Sequence, residues 1–178
     1  MFGFGNGRAK LTKEGADARK GNVKIRISES GKKGYVKTGH VFLDKIVNGL
    51  SEYSPFFFEI ESKDPSDKVV ENSGFAIGLG LKKLLEKRGK KSASYMHSDG
   101  KAMCMFNIGL SKDMSGSTIQ LVGKAREFDP NELFAFFDSF SQGMGAEISG
   151  TVNIAKRKSG QAEFISEAFG KSLEEMFG

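Results

Sequence analysis

The chain has 178 residues, a formal charge of +5 and 28% charged residues. That is long enough to bury a substantial core, and basic without the charge density of a dedicated nucleic-acid binder. No apolar run approaches the roughly 20 residues that cross a bilayer, and the opening MFGFGNGRAK lacks a signal peptide's apolar segment, so a cytoplasmic protein with no membrane partner is expected.

Residues 1–21 are Gly-rich and charged without apolar periodicity, and read as a flexible basic arm. From Asn22 to Ser28, Val23, Ile25 and Ile27 alternate with Lys24 and Arg26, the pattern of a half-buried strand. A turn at Glu29-Ser-Gly-Lys then returns the chain as a second hairpin strand over Lys33 to Thr38. Leu43, Ile46, Val47 and Leu50 have helical spacing across Val41 to Tyr53, and Pro55 ends that helix. Phe56 to Glu61 is a strand whose three consecutive Phe suggest burial on both sides or at a subunit contact. Asp64-Pro-Ser-Asp caps a helix over Ser66 to Lys87 that contains Gly74, Gly78 and Gly80. Each glycine costs about 1 kcal/mol against alanine, tolerable where that face packs closely on another backbone.

Arg88 to Ser92 is a basic link, followed by a short strand over Ala93 to His97. Ala102 to Leu110 and Thr118 to Ala125 are expected to form a second hairpin. Cys104, the chain's single cysteine, lies in the apolar AMCMFNIGL, excludes an internal disulfide and reads as core, since no base flanks it. Asp129-Pro-Asn-Glu starts a helix with Leu133, Phe136, Phe137, Phe140 and Met144 on its apolar face. Ala146 to Ile154 is a strand, and Gln161 to Phe177 a last helix buried through Ile165, Phe169, Leu173 and Met176. AIGLGLKKLL (Ala76 to Leu85) matches AFGKSLEEMF (Ala168 to Phe177) at Ala, Gly and Leu. The order hairpin, helix, strand, helix is thus written twice, as half-domains 22–91 and 92–178 of one compact unit. The expected class is α+β, a mixed sheet in each half with helices packed on one face.

TGHVFLDKI resembles the Thr-Gly-x-x-Phe-Leu-Asp-His-Met segment of imidazoleglycerol-phosphate dehydratase, an enzyme family of histidine biosynthesis. DKVVENSGFAIGLGLKKLL is similar to that family's His-His-x-x-Glu-Asp helix, and ELFAFFDSFSQGMGAEISGTV to the stretch leading to its second His-His-x-x-Glu motif. The match runs in unbroken order from Asn22 to Phe177 and implies the family's fold, of the ribosomal protein S5 domain 2-like type. It also implies a homo-oligomer, since the family builds trimers that join into a hollow 24-subunit shell with metal sites at subunit boundaries.

The family dehydrates a phosphorylated imidazole diol with two manganese ions, each held by histidines and a glutamate. Here the first His-His pair is replaced by Asp67 and Lys68, leaving Glu71, and Lys45 stands where the family has the His of its Phe-Leu-Asp-His segment. By the internal repeat the second pair falls on Ser159 and Gly160, leaving Glu163. A register one helical turn later uses Glu167, with Lys171 matching a family lysine, and both registers stand open. The strand Ala146 to Ile154 has no His, an acidic residue of the family's N-terminal strand becomes Asn22, and the two histidines, His40 and His97, lie off the ligand positions. A cation such as Lys68 at a ligand position repels a divalent metal, so no manganese cofactor is expected.

Three functions follow. The first, preferred, is a non-catalytic dehydratase-like protein acting as a self-assembling structural or binding component, with Lys45, Lys68, Glu71 and Glu163 forming ion pairs across subunits in place of metal bridges. The second is a remodelled, hydro-lyase-like enzyme with Glu71, Glu163 and Lys68 as candidate catalytic groups and Lys45, Asp67, Lys68 and Lys171 binding a phosphorylated small molecule. The third is a polyanion or nucleic-acid binder using Arg8 to Lys20 and the Lys/Arg clusters at Lys82–Lys83, Lys87–Arg88, Lys90–Lys91 and Lys156–Arg157–Lys158.

Overall fold

The computed structural model describes residues 7–30, 36–63, 66–88 and 90–178. Along the chain these form strands β1 (Arg8–Leu11), β2 (Gly15–Lys20) and β3 (Val23–Ser28), helix α1 (Val41–Tyr53), strand β4 (Phe57–Ser62) and helix α2 (Ser66–Leu85). The second part follows as β5 (Ser92–Ser98), β6 (Met103–Leu110), β7 (Gly116–Val122), α3 (Pro130–Met144), β8 (Ala146–Asn153) and α4 (Gln161–Phe177). Two four-stranded sheets result, in the orders β1-β2-β3-β4 and β5-β6-β8-β7. Each sheet turns its apolar residues towards helices on one face: α2 covers β1 to β3 and α1 touches β4, while α4 covers β5 and β6 and α3 covers β7 and β8. The helix layers then meet, α2 on α3 and α1 on α4, so the core is a layer of four helices between two sheets.

Residues 8–20 are not the expected flexible arm: β1 and β2 pair antiparallel, and β2 pairs β3 along its whole length. The inward residues of β2 are Ala16 and Ala18, both buried, and Gly80 of α2 passes over Ala18. Small residues let the helix come close, and their low hydrophobicity leaves no apolar alternation to read. The partner of β3 is therefore β2 and not Lys33 to Thr38: residues 36–38 are not strand, and residues 33–35 of that expected strand lie outside the described residues.

The second expected hairpin is also corrected. Its members β6 and β7 do not pair, because β8 lies between them, antiparallel to β6 and parallel to β7. The place beside β6 goes to the strand with the stronger inward row, Ala146, Ile148 and Val152, all buried, whereas Ile119 and Leu121 of β7 are half-buried as suits an edge. The hairpin partner of β6 is β5. The first sheet is accordingly antiparallel throughout, and the second is mixed.

The glycine-bearing face of α2 does lie on another backbone. A Cβ on Gly74 would stand 2.7 Å from the Phe136 carbonyl oxygen, and one on Gly78 2.2 Å from that of Phe140. Gly143 of α3 reciprocates, its Cβ position lying 2.1 Å from the Phe75 carbonyl oxygen. Beside this seam the rings of Phe106, Phe137, Phe140 and Phe169 pack with centroids 4.8–5.3 Å apart, joining β6, α3 and α4. In the Phe run, Phe56 and Phe58 are buried and Phe57 is half-buried on the outward side.

Candidate functional site

The segment from Thr38 to Lys45 is first a helix start. Both the amide and the hydroxyl of Thr38 donate to Asp44 Oδ1, at 2.7 and 2.6 Å, and the Gly39 amide donates to Asp44 Oδ2 at 3.3 Å. His40 is the N-cap, its Nδ1 accepting from the Leu43 amide at 3.4 Å, while Nε2 lies 3.2 Å from Glu132 at the start of α3. Thr38, Asp44 and His40 thus fix the first turn of α1, and with it the direction in which Lys45 leaves the helix.

Lys45 Nζ ends between two carboxylates, 3.6 Å from Glu127 and 3.9 Å from Glu163. Glu163 lies in the first turn of α4, and Glu127 in the loop before α3. Glu127 accepts from the Gly160 amide at 2.6 Å and the Gln161 amide at 3.3 Å, using the unsatisfied donors of the α4 N-terminus, where a carboxylate is stabilised by the helix dipole. Gly160 can take the left-handed φ of 64° that this approach uses. Gln161, fully buried, completes the clasp: its Oε1 accepts from the Arg126 amide at 2.8 Å, and its Nε2 donates to the carbonyls of Lys124 at 3.0 Å and Arg157 at 2.8 Å. The predicted Lys45 and Glu163 therefore meet within one chain. Glu127 and Gln161 carry no local sequence signal, because the groups that join them to each other's loop lie more than thirty residues away in the chain.

The alternative register places Glu167 elsewhere, 3.4 Å from His97 Nε2 of β5. The His97 ring packs 4.7 Å from that of Phe164, over which the Arg157 guanidinium stands at 4.6 Å while pairing with Asp99. Burial, then the charges of Glu167, Glu52 and Glu163, raise the Tyr53 phenol above its ordinary value, with Lys171 acting the other way. Lys171 is held by Glu174 at 3.0 Å, and that hydrogen bond raises its ammonium above its usual value.

Asp67, Lys68 and Glu71 stand exposed on the first turns of α2, and their side chains make no hydrogen bond or ion pair with any described residue. They do not join the Lys45 cluster. Nor do the side chains present suit the imidazole-held manganese pair that the resemblance implies. Among the described residues no three His, Cys, Asp or Glu side chains gather as metal ligands. Both histidines already face a carboxylate, and an ammonium stands between Glu127 and Glu163.

With this geometry in hand, the fold finds close likeness among solved structures. A crystal structure of IGPD from Pyrococcus furiosus in complex with (S)-C348 superposes with a TM-score of 0.72 at 18% identity, covering 96% of this chain and 93% of that one. A crystal structure of imidazoleglycerol-phosphate dehydratase from Staphylococcus aureus subsp. aureus N315 gives 0.71 at 16% identity, covering 90% of this chain and 96% of that one. The chain thus has the α+β fold of imidazoleglycerol-phosphate dehydratase across nearly its whole length. No family model and no curated protein matches the sequence.

Proposed function

We propose that this chain is a non-catalytic, dehydratase-fold protein that acts as a self-assembling structural or binding component. The observation that carries the reading is Lys45. Its ammonium sits between the carboxylates of Glu127 and Glu163, at the helix end where the resemblance expects metal ligands. One of those carboxylates is further engaged by two backbone amides. A divalent ion entering there would meet a fixed positive charge and would have to displace both. The pair is partly exposed, so its own stabilisation is modest, about 0.2–1 kcal/mol; its consequence is for what the site can bind.

Assembly is supported by the outward face of the second sheet. Ser94, Asn107, Ser149 and Thr118 lie side by side across its four strands, with Met96, Met105, Thr151 and Gln120 in the next row. Glu147 is the one charged residue on that outward face, and Met96 is 61% exposed. A chain with 28% charged residues that keeps a whole sheet face nearly uncharged offers that face to a partner. The hydro-lyase-like alternative requires Glu71 and Lys68 of α2 at one site with Glu163 of α4, and among the described residues no hydrogen bond or ion pair joins α2's pair to Glu163.

Native mass spectrometry of the purified protein, with manganese and with chelator, tests the reading. A metal-free oligomer of the same subunit number under both conditions is the expected result. Stoichiometric manganese whose removal breaks the particle would overturn it, and dehydratase activity would then be assayed directly.

A further inference from the structure

The outward face of the first sheet is the opposite of the second: it is crowded with charge, and the strand register decides how those charges meet. In one row Lys10 of β1, Asp17 of β2, Arg26 of β3 and Glu59 of β4 lie side by side, alternating in sign. Arg26 is 3.6 Å from Asp17 and 3.6 Å from Glu59, so this row compensates itself. The neighbouring row does not. There Arg8 lies opposite Arg19, Arg19 opposite Lys24, and Lys24 opposite Glu61.

Three cations therefore stand directly across three adjacent strands. Directly opposed side chains have Cβ atoms about 4.5–5.5 Å apart, and like charges in that position are destabilising. All three are exposed, and none makes an ion pair with a described residue. The row cannot relax by sliding, because Ala18 and Ile25 are buried beneath α2 in the same register, and a one-residue slip would turn them outward. The repulsion is built into the free protein, and an anion on this face relieves it.

We propose that this face binds the phosphodiester backbone of nucleic acid, with Arg8, Arg19 and Lys24 as its phosphate contacts. The cations form a line about 10 Å long at the usual interstrand spacing, which spans successive phosphates rather than enclosing one. They border an open concavity of about 740 Å³ lined by charged side chains from all four strands, with Ala9, Ala18, Ile25 and Ile60 among them, open along its length as a bound strand requires and not enclosed around a small molecule. Guanidinium groups suit phosphate oxygens through paired N–H donors. No aromatic side chain lies in the row to stack a base, so contact is with the backbone and independent of sequence. This inference stands apart from the Lys45 cluster and holds whether or not the chain binds metal.

Fluorescence anisotropy of the full chain with a labelled oligonucleotide, single-stranded and duplex, over a salt series tests it. For duplex, log K is expected to fall with log salt at a slope of about −2.7, or about −0.9 for each phosphate contact. R19Q and K24Q should each make the slope shallower by about 0.9, and R8Q/R19Q/K24Q together should remove most of the binding. K112Q, in the loop between β6 and β7, serves as a control that leaves binding unchanged. Thermal melts separate binding from folding, since R19Q should melt no lower than the parent. Binding that survives the triple substitution, or affinity indifferent to salt, would overturn the proposal. So would capture of a phosphorylated monomer, anionic vesicles or an acidic peptide in preference to the oligonucleotide.

Discussion

Burial pushes the Cys104 thiol up to about 12 from an ordinary 9.0, because the side chain is enclosed between β6 and the helix layer with nothing to stabilise a thiolate. The folded chain keeps this proton where the unfolded chain releases it. Stability linked to Cys104 is therefore intact below about pH 9 and is lost as pH climbs towards 12. The raised Tyr53 and Lys171 act with the same sign, so stability should decline through the alkaline range. Urea midpoints of the parent and Cys104→Ala between neutral pH and pH ~10.5 isolate the thiol. The variant should start lower, having lost a buried atom, and then fall less steeply; parallel curves would show that the thiol ionises freely in the fold. The apolar run around Cys104 made its core role legible from sequence. Glu127 was not legible, because its partners Lys45, Gly160 and Gln161 reach it only after α1 packs on α4 and the loop before α3 folds over. Lys45 and Glu163 were legible as residues of interest, and the way they combine was not.

At the scale of single elements, α2 rests on glycines that a helix would otherwise reject. Replacing Gly78 by alanine gains about 1 kcal/mol of helix propensity, yet the new methyl would lie 2.2 Å from the Phe140 carbonyl oxygen and 2.9 Å from the Met144 amide nitrogen. Both obstacles are backbone atoms of α3, so the helices must part, and overpacking of this kind costs typically about 1–3 kcal/mol. Gly80 faces the other way, towards the Cδ1 end of Ile27, which can turn aside from a methyl at 2.6 Å. Gly78→Ala should therefore lower the denaturation midpoint well below the parent, and Gly80→Ala much less. The reverse order would mean that α2 and α3 do not meet backbone to backbone. The spacing of these glycines gave notice of a close approach without naming α3 as the partner. Strand pairing was harder to read for a related reason. Nothing local in Thr118 to Val122 says that β8, arriving after a helix, will occupy the place beside β6.

For the molecule as a whole, what matters is that, among the described residues, its two sheets are joined chiefly through their helices, α2 on α3 and α1 on α4. Residues before Arg88 supply the first sheet with α1 and α2, and residues from Ser92 supply the second with α3 and α4. The repeat in the sequence suggested as much, but repetition alone does not say whether the halves are separable. The packing argues that they are not. The inner face of α2 is shaped by Gly74 and Gly78 to receive α3, and Gly49 of α1 lies against Ser166 of α4. Phe56, just before β4, packs on Phe177 at 4.6 Å between centroids. Cutting the chain between Leu85 and Ser92 would expose both helix layers at once, and a sheet with two helices on one face leaves that outer helix surface unburied. Residues 1–91 and 92–178, expressed separately, should be unfolded or aggregated by circular dichroism and size exclusion, and should recover the native spectrum when refolded together. The intact chain should unfold in one transition, with its slowest-exchanging amides in α2, α3 and β6 alike rather than in one half. Independent folding of either half, or two resolved transitions, would show that each sheet-and-helix layer is stable by itself and that the glycine seam is a docking surface between finished domains.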